Sequence, residues 1–254
     1  MGNLHAGHMS LIEKGQSLCD RSICSIFVNP MQFGPNEDFN HYPRTLDGDI
    51  EQLEASGCDL LYLPSASDLY PQGLDKISQV QVTGLIEDFE GAHRPGHFAG
   101  VATVVLKLFN IVKPDISVFG KKDFQQYRVI SKMVEDFNLD VQIIGQETTR
   151  EASGLAISSR NMYLDESQTT QAALIYRLLQ QTARCINEGE RDFKQLEQQA
   201  KTSLDQAGFN TDYFSICNAQ TLVPASADDR DLVVLVTAAI DTTRLLDNIE
   251  VSLW

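Results

Sequence analysis

Met1-Gly2-Asn3-Leu4-His5-Ala6-Gly7-His8 runs without a break into Met9-Ser10-Leu11-Ile12-Glu13-Lys14-Gly15-Gln16-Ser17-Leu18-Cys19 and, after a short polar link, into Ile23-Cys24-Ser25-Ile26-Phe27-Val28-Asn29-Pro30. From His8 to Cys19, the residues Leu11, Ile12, Gly15, Leu18 and Cys19 share one face at helical spacing, which predicts an amphipathic helix. Ile23 to Val28 is short and mostly apolar and stops at Asn29-Pro30, which predicts a buried strand. The same beat continues to about residue 146. A helix is expected over Asp47 to Ser56, apolar strands at Leu60 to Leu63 and Val80 to Thr83, and a deeply packed helix from Phe98 to Val112, ended by Pro114. A strand at Ile116 to Phe119, a helix at Asp123 to Phe137 and a strand at Val141 to Ile144 complete it. Alternation of this kind is the pattern of a parallel sheet covered by helices.

Beyond residue 146 the rhythm changes to a loop reaching Tyr163, two helices near 166 to 188 and 192 to 207, and strands near 212 to 217, 232 to 240 and 245 to 252. Helices followed by strands predict a second, smaller α+β domain. The expected division is 1-147 and 148-254.

Lys and Arg total 20 against 35 Asp and Glu, so the net charge is −15. That argues against nucleic acid or an anionic membrane as partner, because both recruit basic surface. Five Cys with no C-x-x-C spacing resemble neither a disulfide framework nor a zinc ribbon, and a reducing cytoplasm is the economical expectation. The longest apolar run, Leu232 to Ile240, is far short of a membrane helix, and no basic-then-apolar leader opens the sequence.

Four places could carry chemistry. In the opening octapeptide, Gly2 and Gly7 permit close backbone approach, the helix start offers unpaired N–H groups, and His5 and His8 can both reach one anion, such as phosphate. The plainer alternative is a helix capped by a histidine, and zinc lacks a third ligand at recognisable spacing. At the carboxyl end of the second element, Asn29 and Gln32 set neutral donors and acceptors beside Met31 and Phe33, where open α/β sheets bind ligands. At a later strand-to-helix junction, Gly120 allows a tight turn, Lys121 or Lys122 can reach a phosphate, and Asp123 and Gln126 share a helical face; a solvated lysine pair is the bland alternative. Ile157-Ser158-Ser159-Arg160, in the loop after the first domain, offers two hydroxyls and a guanidinium suited to oligophosphate. Together they point to one nucleotide site.

Taken in order, these motifs, with Tyr42-Pro43-Arg44, Arg94-Pro95-Gly96-His97-Phe98-Ala99-Gly100-Val101 and Arg244-Leu245-Leu246-Asp247-Asn248, resemble the pantothenate synthetases, the pantoate:β-alanine ligases. The resemblance covers essentially the whole chain. It implies a Rossmann-like ATP- and pantoate-binding domain, a lid-like second domain, a homodimer in the cytoplasm, and Mg-ATP as substrate. It also implies ligation through pantoyl adenylate, with release of pyrophosphate and then AMP. By the same resemblance, Met1, Gly2, His5, His8, Gly120, Lys121, Lys122, Asp123, Ile157, Ser158, Ser159 and Arg160 contact ATP. Of these, His8, His5, Lys121, Arg160, Ser158 and Ser159 are assigned to catalysis. Gln32 and Gln126 would hold pantoate, with Asn29 behind them, and no protein ligand for Mg is assigned. Because both substrates are anions, a local positive island around Lys121 and Arg160 is expected to offset the acidic whole. Two alternatives are an inactive nucleotide-binding form and another H-x-G-H nucleotidylyltransferase. In the family an upstream strand precedes the Met-Gly-x-Leu-His motif, whereas here the sequence opens on it. The expectation is therefore a gap or open edge beside Ile23 to Val28, with Met1 to His8 poorly anchored.

Overall fold

The computed structural model describes all residues except 36, 38 and 254. Helix α1 (Ala6–Gln16) starts where His5, still extended at φ −145°, gives its carbonyl to the N–H groups of His8 and Met9. It ends earlier than its apolar spacing suggested. The N–H groups of Leu18 and Cys19 both fold back on the Gly15 carbonyl, and Leu18 is left exposed. Strand β1 (Ile23–Ser25) follows, then α2 (Leu46–Ala55), β2 (Leu60–Tyr62), the short helices α3 (Ala66–Leu69) and α4 (Glu90–His93), α5 (His97–Val112), β3 (Ile116–Gly120), α6 (Phe124–Asp136) and β4 (Gln142–Gln146).

β1 pairs parallel to β2 with Ile23 opposite Leu60, and β3 pairs parallel to β4 with Ile116 opposite Gln142. These are two separate two-stranded sheets among the described residues. The buried strand expected over Ile23 to Val28 is thus only three residues long, and Ile23 is 47% exposed. A strand of an α/β sheet is buried when neighbours flank both edges and helices cover both faces, whereas among the described residues β1 pairs with β2 alone. Val80 to Thr83 forms no strand: the Val80 N–H goes to the Thr103 hydroxyl on α5 at 2.9 Å, so a side chain takes the place of a ladder partner.

α5 is the pivot of this half. Phe98, Val101, Ala102, Val104, Val105 and Phe109 are all buried, as expected of a helix apolar nearly all round. Lys113 closes it in the left-handed region (φ 52°), just before Pro114. α1 lies close on β3, where a Cβ at Gly15 would be 3.8 Å from Val118 and one at Gly120 3.8 Å from Leu11.

The chain divides into two compact units, Met1–Glu147 and Thr148–Trp254. In the second, α7 (Glu166–Asn187) and α8 (Phe193–Gln206) precede an antiparallel sheet in the order β5 (Asn210–Asn218), β6 (Asp231–Ile240), β7 (Thr243–Ser252). Leu179, Ile186, Leu204, Ile216, Val234 and Val236 make its core. No helix is long and apolar enough to cross a membrane among the described residues.

Candidate active site

The opening loop is held firmly, contrary to expectation. Buried Asp49, on α2, accepts hydrogen bonds from the Asn3 and Leu4 N–H groups at 2.9 and 2.7 Å and from the Thr45 hydroxyl at 3.0 Å. Gln52, one turn further along α2, donates to the Leu4 carbonyl at 3.2 Å. Gly2 has φ +93°, which favours glycine, and a Cβ there would sit 3.2 Å from Asp49 Oδ2 and 3.3 Å from Ile26, so both side chains would have to give way. Nothing local in the sequence marks Asp49 for this task, because its partners lie 46 and 45 residues upstream.

His5 and His8 come together at the start of α1, with ring centroids 4.0 Å apart. His8 Nδ1 accepts the His5 backbone N–H at 3.3 Å, which places the proton of neutral His8 on Nε2. Burial, followed by the charges of His5 and the amino terminus, pushes the His8 imidazolium down to about 3. Burial, then Lys122, lowers His5 as well. His5 Nδ1 is buried without a hydrogen-bond partner among the described residues, which suits a ligand contact.

Asn29 caps the turn at Pro30–Gln32, Gln32 is its last residue, and both are buried. The Gln32 carbonyl accepts from His97 Nδ1 at 2.8 Å and from Arg94 at 3.4 Å. Arg94 in turn grips Glu37 through two hydrogen bonds. Burial pushes the Glu37 carboxyl up, but Arg94 outweighs it and the group stays below its ordinary range. The Arg-Pro-Gly-His motif therefore clamps the Gln32 backbone. The Gln32 side-chain nitrogen lies 3.0 Å from Met1 Sδ, which joins this turn to the opening loop.

At the end of β3, Gly120 leads into a turn at Lys121–Asp123 and then α6. Lys121 Nζ lies 2.8 Å from Glu147, and Lys122 Nζ lies 3.5 Å from Asp123. The expected positive island is thus partly neutralised around Lys121, since a carboxylate at this range offsets its field. Gly145 on β4 makes room for that lysine, as a Cβ there would meet Lys121 Cε at 2.8 Å. Of the adjacent glutamines, Gln125 is buried and committed to the Glu90 N–H and the Leu85 and Asp88 carbonyls. Gln126 is only half-buried.

In the second unit, Ile157 donates to the Thr149 carbonyl at 2.9 Å and Ser158 Oγ accepts from the Arg160 N–H at 3.3 Å, capping the turn Ser159–Tyr163. The Ser158 hydroxyl proton remains available to donate. Arg150 anchors this loop. It makes two bonds to buried Asp247 at 2.6 and 2.9 Å, another to the Gly154 carbonyl at 3.2 Å, and stacks 3.6 Å from the Tyr176 ring centroid. The Asp247-Asn248 segment of the last motif thus serves as an internal clamp.

The profile described as Pantoate-beta-alanine ligase matches residues 1–250. The chain belongs to that family. Among its relatives, the pantothenate synthetase of Pseudomonas fluorescens (strain Pf0-1) is 52% identical over 253 residues, covering 100% of this chain and 88% of the relative. That of Hahella chejuensis is also 52% identical, covering 100% and 89%. A crystal structure of pantothenate synthetase from Thermus thermophilus superposes with TM-score 0.94 at 39% identity, over 99% of this chain and 91% of that one. The Francisella tularensis pantoate-beta-alanine ligase, complexed with beta-gamma ATP and beta-alanine, gives TM-score 0.80 at 36% identity, over 98% and 86%. The α/β architecture of the family members is therefore that of this chain.

Proposed function

We propose that the chain ligates pantoate to β-alanine at the expense of ATP, through pantoyl adenylate. A pantoate carboxylate oxygen attacks the α-phosphorus of ATP and pyrophosphate leaves. The β-alanine amine then attacks the acyl carbon, loses its proton, and AMP departs. The observation that carries this reading is the neutral His8, with Nε2–H free to donate at a helix start, in the same unit as the Asn29–Gln32 pocket. A donor already in place needs no protonation step to stabilise charge growing on the phosphate oxygens.

In this reading Met1, Gly2, His5, His8 and Gly120 to Asp123 bind ATP and Gln32 and Gln126 hold pantoate, and the family resemblance adds Ile157 to Arg160 to the phosphate-binding residues. Among the described residues no group of three or more His, Cys, Asp or Glu could hold a metal. Mg2+ would then ride on the ATP phosphates, its usual habit in such sites. A cytoplasmic homodimer completes the reading, supported by the family resemblance.

The deciding experiment follows pyrophosphate and AMP separately. Pyrophosphate release should require pantoate but not β-alanine, and AMP should appear only when β-alanine is added. Pyrophosphate release independent of pantoate would favour a different nucleotidylyltransferase, and ATP binding without release an inactive form.

A further inference from the structure

Tyr70 belongs to none of the motifs that the sequence offered, yet it reaches the pantoate pocket. It caps α3, is buried, and its ring packs 6.2 Å from that of Phe27. Its hydroxyl donates to Asn29 Oδ1 at 2.7 Å. The same oxygen accepts the Met31 backbone N–H at 3.2 Å, while Asn29 Nδ2 donates to the Gly100 carbonyl at 3.2 Å. A backbone N–H can only donate and a carbonyl can only accept, so these contacts admit one orientation of the Asn29 amide. Its second Nδ2 hydrogen then points to Gln32 Oε1, 3.2 Å away.

We infer that Tyr70 and Asn29 form a polarity lock on Gln32, holding its side-chain oxygen inward so that Nε2, one hydrogen of which donates to Met1 Sδ at 3.0 Å, is the end that faces the substrate. This rests on the reading of Gln32 as a pantoate ligand and names Tyr70 as a positioning residue behind it. An amide free to flip would present an acceptor half the time, and an acceptor repels a carboxylate. The lock therefore selects a substrate oxygen that bears negative charge or a lone pair, which pantoate's carboxylate and hydroxyls supply. Burial pushes the Tyr70 phenol up to about 12, so it remains a donor throughout the physiological range.

The test is a kinetic cycle of Tyr70→Phe, Gln32→Ala and the double variant, with KM measured for pantoate and ATP. Tyr70→Phe keeps the ring and loses one neutral hydrogen bond, so pantoate KM should rise about three- to tenfold with ATP KM within about twofold. In the Gln32→Ala background the same change should alter pantoate KM by less than about twofold, because the group it positions is gone. Asn29→Asp, an independent arm should Tyr70→Phe fold poorly, turns a donor into an acceptor facing Gln32 and should raise pantoate KM by more than about tenfold. The lock is overturned by an unchanged pantoate KM in Tyr70→Phe, by equal rises for both substrates, or by the same rise with and without Gln32. An unchanged pantoate KM in Gln32→Ala overturns the functional reading itself and the lock with it.

Discussion

In the proposed reaction, His8 is the donor to the charge that develops on the phosphate. Its motif was visible in the sequence, but its protonation was not, because burial and the His5 backbone N–H that set it depend on the folded loop. A neutral donor predicts that His8→Ala lowers pantoyl adenylate formation by about 10² or more, the scale of a lost transition-state donor, with ATP affinity falling less. Single-turnover quench with saturating ATP and pantoate would check it, and an unchanged adenylation rate would remove His8 from the mechanism. The two neighbouring glutamines make the same point about legibility. Gln125 and Gln126 are indistinguishable as letters, yet one spends its amide on three backbone groups and the other is half-buried beside the turn at Lys121–Asp123.

At the scale of elements, α5 packs by backbone contact against the turn at Pro30–Gln32, where pantoate binding is proposed. A Cβ at Gly100 would lie 2.4 Å from the Met31 carbonyl oxygen and 2.8 Å from the Gln32 nitrogen, and neither can swing aside as a side chain could. Gly100→Ala should therefore cost about 1–3 kcal/mol of stability through overpacking and raise pantoate KM. Gly48→Ala on α2 is the control, since its Cβ meets nothing within 4 Å. It should gain roughly 0.5–1 kcal/mol through lower unfolded-chain entropy. Urea denaturation of both variants reads the signs directly, and a stabilised Gly100→Ala would contradict the packing argument. α5 itself was legible because sixteen residues of nearly unbroken apolar character have few other solutions, while β1 was not, because an apolar run does not state how many neighbours it will have.

Across the whole molecule, His5, His8 and His97 are all held below their ordinary titration range, burial being the leading cause each time. Their unfolded values are near 6.5, so between pH 6.5 and the folded values the unfolded chain binds more protons. Stability is then fully present above about pH 6.5 and is lost as pH falls toward 3. The His8 shift alone corresponds to on the order of 5 kcal/mol over that whole window. The acidic net charge of −15 works the other way, since self-repulsion eases as carboxylates protonate. A His8→Gln variant separates the two: its urea midpoint should decline less steeply between pH 7.5 and 5 than that of the unchanged chain. Parallel slopes would show that His8 does not carry the linkage.

Amino-acid order alone determined where most elements lie and which segments carry chemistry. Periodicity reports the face that an element buries, and glycine, proline and histidine in short motifs report local backbone and ligand needs. Those signals sufficed for the longer helices of both units, though not for the short α3 and α4, and for the long strands β6 and β7 and the motif set that led to the family. Only tertiary structure decided which group answers which. Asp49 holds the opening loop across 46 residues, Tyr70 reaches Asn29 across 41, and Arg150 meets Asp247 across 97. A hydrogen bond is directional and short, so its partner is chosen by where the folded backbone brings a donor to face an acceptor. No local pattern encodes that meeting, which is why Asp49 and Tyr70 carried no mark in the sequence and why Asp247, though inside a motif, gave no sign of its partner.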